Sequence, residues 1–190
     1  MSSVNVIIVH GAYGHPEENW FDWLRQALAV MNIDCCVPTL PTPEQQNLEN
    51  WLAVFQQSCG HEIHSNTIIV GHSLGAVFVL RWLEQYAYKV RATILVGAFI
   101  GEVGIKQFDE INKSFFLMPF QWKKIKARAE IFVSYGGDND TYIPLSQFHF
   151  IADQLAAKKI VIFHGGHLNA AAGYTTFPEL LLQLKALIEE

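Results

Sequence analysis

The stretch Thr67-Ile68-Ile69-Val70-Gly71-His72-Ser73-Leu74-Gly75-Ala76-Val77-Phe78-Val79-Leu80 decides the fold. A β-branched run, Thr67 to Val70, ends at a glycine and reads as a buried strand. The apolar segment from Leu74 to Tyr86 follows at once and reads as a helix. Between them lies Gly71-x-Ser73-x-Gly75, a strand–turn–helix with a serine at its apex. Such a turn strains the serine backbone, and side chains at 71 and 75 would collide with the adjoining strand and helix. Ser73 is thereby held proud of a sheet at a helix N-terminus, where free N–H groups favour a developing anion. The plainer alternative, a glycine-flanked N-cap serine, accounts for less of this context.

The same alternation extends in both directions. Strands are predicted at Val4–Val9, Asp34–Thr39, Thr67–Gly71, Arg91–Val96, Glu130–Tyr135 and Lys159–Phe163. Helices are predicted at Asn19–Met31, Pro43–Gln57, Leu74–Tyr86, Leu145–Ala157 and Phe177–Glu190. Phe108–Lys126 reads as one or two irregular helices broken near Pro119. The strands are continuous apolar runs rather than alternating ones, as in a parallel sheet covered on both faces. The expected class is α/β, an open six-stranded parallel sheet with helices on both faces, as one domain over 1–190. In such a sheet the chemistry sits at the strand carboxyl ends, near the switch in strand order.

Composition narrows the function. The chain has 190 residues, 51% hydrophobic and 16% charged. That is too apolar for disorder and large enough to bury a core without cross-links. Thirteen Lys+Arg against 18 Asp+Glu give a net charge of −5, so no basic footprint for nucleic acid or anionic lipid is visible. Cys35, Cys36 and Cys59 form neither a disulfide framework nor a zinc ribbon by spacing, and read as reduced thiols of a cytoplasmic protein. Cys59-Gly60-His61-Glu62-Ile63-His64 has metal-capable side chains at no common metal spacing and reads as a polar connection. Lys123, Lys124, Lys126 and Arg128 read as a solvated helix face. No signal peptide or membrane span is evident.

Four loops that follow strands carry reactive residue types. They are His10-Gly11-Ala12-Tyr13-Gly14-His15, the Ser73 turn, Gly136-Gly137-Asp138-Asn139-Asp140 and His164-Gly165-Gly166-His167. Parallel strands put all four at one end of the sheet. A serine hydroxyl needs a base, and His167, after the last strand, completes the chain order Ser…Asp…His. The base needs an acid to fix its tautomer. Asp140 is preferred over Asp138, because Ile143-Pro144 can anchor its loop. An oxyanion hole needs two converging backbone N–H groups. Leu74 offers one, and Ala12 the other, with Tyr13 as second choice.

These residues resemble the α/β-hydrolases, and more closely the family of small serine hydrolases that includes retinoblastoma-binding protein 9. The resemblance spans almost the whole chain: Val9-His10-Gly11 with Gly14, Asn19-Trp20 with Trp23, the Ser73 turn, Pro119-Phe120-Gln121-Trp122-Lys123-Lys124-Ile125-Lys126, Asp140-x-x-Ile143-Pro144 and Gly166-His167. It implies a trimmed hydrolase sheet lacking the first two strands of larger members, and Ser73, Asp140 and His167 as the catalytic triad. The loop Ala12-Tyr13-Gly14-His15-Pro16 departs from the family by carrying fewer glycines than some members.

The expected reaction is hydrolysis of small ester, thioester or amide substrates through an acyl-enzyme on Ser73, with no metal or organic cofactor. Peptidase and acyltransferase chemistry use the same groups. Aromatic residues Trp20, Phe21, Phe99, Phe115, Phe116 and Trp122 are candidates for the mouth, with core packing the competing role for each. The expected partner is a small-molecule acyl substrate, and no protein partner is indicated. The rival reading is a non-catalytic or weakly catalytic protein-interaction module on a hydrolase fold.

Overall fold

A computed structural model describes residues 3–189. Six strands form one parallel sheet: β1 (Asn5–Val9), β2 (Asp34–Cys36), β3 (Thr67–His72), β4 (Val90–Val96), β5 (Ala129–Gly137) and β6 (Lys158–Ile162). Their order is β2-β1-β3-β4-β5-β6. The order reverses between β1 and β3, where Val9 pairs with Gly71. The helices are α1 (Phe21–Val30), α2 (Leu48–Cys59), α3 (Leu74–Gln85), α4 (Lys106–Asn112), α5 (Trp122–Lys126), α6 (Leu145–Leu155) and α7 (Pro178–Glu189). The chain is thus the α/β class read from the sequence. Glu190, included in the predicted last helix, lies outside the described residues.

Two cores follow from the alternation of side chains along each strand. Ile7, Val9, Ile69 and Leu95 face a layer built from α2, α3, α5 and α6. Val6, Ile8, Ile68, Val70, Ile94 and Val96 face α1 and α7. Every residue of β1 and β3 is buried. The edges depart from the expected doubly buried run. In β2 no residue is fully buried, and in β6 both lysines and Val161 are exposed. Each edge strand has one sheet neighbour and thinner helix cover. Lys158 bonds Gln183 and Lys159 pairs with Asp153, so charge guards the open β6 edge against pairing with another chain.

α2 begins five residues later than the periodicity predicts. The Asn47 side chain caps it by accepting the Asn50 N–H at 2.9 Å, and residues 43–47 stay in a strap between β2 and α2. The β4–β5 crossover holds α4, one further tight turn (Lys113–Phe115) and α5. It is fastened to α3 by two residues of that helix, Arg81 and Glu84, which form a buried ion pair at 2.8 Å and bond the crossover backbone. Arg81 also donates to the carbonyls of Phe115 and Met118 and lies over the Phe120 ring. Glu84 accepts the Gln121 N–H. The Pro119–Trp122 segment is therefore a strap docked on α3, whose buried charges, Arg81 and Glu84, are paired and hydrogen-bonded, as burial demands. Among the described residues no helix is long and apolar enough to cross a membrane.

Candidate active site

Ser73 joins β3 to α3 with φ 55° and ψ −123°, a conformation that costs an L-residue energy and is held only by its surroundings. Two contacts hold it. The Ser73 N–H donates to Val96 O at 2.8 Å, tying the turn to β4. The flanking glycines leave no space: a Cβ at Gly71 would lie 2.6 Å from Ala76 Cα, and one at Gly75 would lie 2.3 Å from Val9 O. The turn thus fits only with glycine at both positions.

The structure brings three distant side chains into one hydrogen-bonded row. Ser73 Oγ is 2.9 Å from His167 Nε2, and His167 Nδ1 is 2.7 Å from Asp140 Oδ2. The other Asp140 oxygen, Oδ1, accepts the N–H groups of Tyr142 at 2.8 Å and Ile143 at 3.1 Å. An acceptor-only carboxylate on Nδ1 makes that nitrogen the donor, which leaves Nε2 to accept the serine proton. The imidazole and the carboxylate are nearly enclosed, with side chains 9% and 4% exposed. Asp138 is not in this row: its Oδ1 accepts the His164 N–H at 2.7 Å, and Asn139 accepts that of Gly166. These two side chains brace the turn that carries His167.

The His167 loop is braced from a second side. Trp20 Nε1 donates to Leu168 O at 2.9 Å, and Asn19 Oδ1 accepts the Ala170 N–H at 2.8 Å. His72, beside the serine, points to the opposite face and reaches His167 O at 3.0 Å from Nε2. Burial, reinforced by the nearby His167, lowers the His72 pKa to about 3, so the ring stays neutral.

On the β1 side, Ala12 and Ser73 line the same cavity. Among the described residues neither the Ala12 nor the Leu74 N–H has a protein acceptor. The Tyr13 N–H is already used, donating to Thr42 Oγ1 at 2.9 Å and Gln46 Oε1 at 3.1 Å. The periodicity of 43–57 hid this buttress, although Pro41 and Pro43 mark the segment as a strap. Gln46 Nε2 continues to Asn112 Oδ1 at 2.6 Å, and Asn112 Nδ2 to Phe108 O at 2.9 Å. Gln46 and Asn112 are 4% and 0% exposed. A buried polar chain therefore joins the β1 loop to α4. His10 adds a further tie, with Nδ1 bonding Gly11 O at 2.8 Å and Nε2 accepting the Leu40 N–H at 3.0 Å.

The cavity over Ser73 has a volume of about 260 Å³. Its wall is Phe99, Val103, Ile105, Phe108 and Ile143, with Tyr13 and Tyr142 half exposed at the edge. Of the aromatic residues singled out in the sequence, Phe99 lines it, whereas Trp20, Phe21 and Phe115 are core. Trp122 packs on Phe120 and Phe150 instead. The wall loop is pinned by Asp109, whose carboxylate accepts the N–H groups of Val103 and Gly104 at 2.8 and 3.0 Å.

The family described as "Serine hydrolase" matches residues 6–186. Serine hydrolase RBBP9 of Rattus norvegicus is 30% identical over 98% of this chain and 97% of its own length. The putative hydrolase YdeN of Bacillus subtilis is 30% identical over 91% of this chain and 90% of its own. The crystal structure of the B. subtilis ydeN gene product superposes with a TM-score of 0.91 at 28% identity, covering 99% of this chain and 100% of that one. The chain belongs to the serine hydrolase family.

Proposed function

We propose that the chain hydrolyses small ester, thioester or amide substrates through an acyl-enzyme on Ser73. The observation that carries this reading is the unbroken row Ser73–His167–Asp140, with distances of 2.9 and 2.7 Å. As Ser73 Oγ attacks the acyl carbon, His167 Nε2 takes its proton. Asp140 holds the ring and stabilises the imidazolium. The free N–H groups of Ala12 and Leu74 receive the developing oxyanion, and the N-terminus of α3 adds a favourable field. His167 then returns the proton to the leaving group. In the second half it activates a water, which releases the acid and restores Ser73.

The cavity supports a small, neutral, apolar acyl group. At about 260 Å³ it falls just below the usual range for drug-sized ligands, about 300–1,000 Å³. Among its lining residues none is Asp, Glu, Lys or Arg. A charged acyl chain would lose its hydration there with no partner.

Pre-steady-state release of p-nitrophenol from short-chain p-nitrophenyl esters tests this reading. The expected trace is a burst of one equivalent per chain followed by slower turnover, with both absent in Ser73→Ala. Turnover that survives Ser73→Ala would contradict it.

A further inference from the structure

A second reactive cluster lies at the other end of the sheet. The residues described above sit at the strand carboxyl ends. Asn5 and Asp34 begin β1 and β2, and His61, Glu62 and His64 precede β3. They line a separate cavity of about 480 Å³, together with Cys35 and Cys36. Neighbouring residues of a strand face opposite sides of the sheet. Cys35 accordingly packs on the α1 side and Cys36 on the α2 side. There Cys36 meets Cys59, the last residue of α2, with the two sulfurs in direct contact at 2.7 Å. Both are free thiols.

We propose that Cys36 and Cys59 form a peroxide-oxidisable dithiol, a modification site separate from Ser73, with Cys36 attacking and Cys59 resolving. Three features assign the roles. Cys36 is half-buried and lines the cavity, whereas Cys59 is buried behind it. The contact with Cys59 lowers the Cys36 pKa, and the same contact raises that of Cys59. Burial pushes Cys35 up to about 12, so the adjacent thiol is a poor competitor.

The chemistry balances with hydrogen peroxide as oxidant. The Cys36 thiolate attacks one peroxide oxygen and the O–O bond breaks. Sulfenic acid forms on Cys36, and hydroxide leaves and takes up the thiol proton as water. Cys59 then attacks the Cys36 sulfur, the S–O bond breaks, the disulfide forms and a second water leaves. Two thiols lose two electrons and two protons, and the peroxide gains them. The cross-link closes the loop that contains Leu40, Thr42 and Gln46, the strap that buttresses Tyr13.

The test uses the full chain, reduced, freed of reductant and treated with hydrogen peroxide. Titratable thiols, counted after denaturation, should fall from three to one. A non-reducing peptide map should show Cys36 joined to Cys59 with Cys35 free, and reductant should restore all three thiols. The melting temperature should rise by roughly 5–10 °C for a loop of this length. Cys59→Ser should strand the sulfenic acid on Cys36, where dimedone traps it, and Cys35→Ser should cross-link as the wild type does. Three surviving thiols in folded wild type, a link through Cys35, or a link between two chains would overturn the proposal. The wild-type map decides this without reliance on the folding of any variant.

Discussion

The Nε2 of His72 bonds the backbone carbonyl of His167 at 3.0 Å, so the residue before Ser73 helps to position the His167 imidazole. Its other ring nitrogen, Nδ1, is buried without a partner. A second proton on this ring would add a buried charge beside His167.

That relationship has a pH signature. The His72 pKa is lowered from 6.5 to about 3, chiefly by burial and then by the charge of His167. Above pH about 6.5 both folded and unfolded chains hold the ring neutral, and its contribution to stability is complete. As pH falls from there toward 3, the unfolded chain binds a proton that the native chain refuses, and stability is lost. His10, also lowered by burial, acts in the same direction. The denaturation midpoint should fall from pH 7 to pH 4.5, and His72→Gln should flatten that slope. Equal slopes in variant and wild type would remove His72 from this account.

The two acids of the β5 loop should separate cleanly. Asp140→Asn leaves the fold in place but misdirects the imidazole, and should lower kcat about 10⁴-fold. Asp138→Asn weakens only the acceptor of the His164 N–H, and should leave kcat within about five-fold of wild type. Steady-state kinetics on one short-chain ester, with circular dichroism as the fold control, distinguishes them.

Gln46 touches no substrate, yet it holds the Tyr13 N–H and bridges to Asn112. Gln46→Leu should loosen the peptide that presents the Ala12 N–H. The loss should be smaller than the 10²–10³ in kcat of a deleted oxyanion donor, about 10- to 100-fold. KM should change less than about three-fold, because the oxyanion exists only in the transition state. A rise in KM with unchanged kcat would make Gln46 a wall residue instead.

Arg81 and Glu84, 3% and 6% exposed, fasten the β4–β5 crossover to α3. Arg81→Met should cost about 3–5 kcal/mol, because Glu84 keeps its buried charge without a countercharge. Arg81→Met with Glu84→Gln should recover part of that loss, as read by urea denaturation.

The parts of the molecule legible in the sequence are those set by local pattern. The Ser73 turn was readable because its two glycines have a steric cause at short range, and the strands because β-branched runs mark doubly covered positions. Asp140 stood out from Asp138 through Ile143-Pro144. The parts not legible depend on contacts between distant segments. Trp20 read as a candidate for the mouth, but its indole holds Leu168 O, 148 residues away. Gln46 read as a helix residue, but Asn47 caps α2 after it and leaves it free to reach Asn112. The cavity wall comes from Val103, Ile105 and Phe108 in the irregular crossover, where periodicity says little about which side chains face Ser73.

The central claim is that Ser73 is an activated nucleophile, and labelling with a fluorophosphonate probe tests it most directly. Folded wild type should take up one probe per chain, mapped to the peptide that holds Ser73. Labelling should vanish in Ser73→Ala and fall steeply in His167→Ala. A folded wild type that stays unlabelled, or a label that persists in Ser73→Ala, would contradict the account.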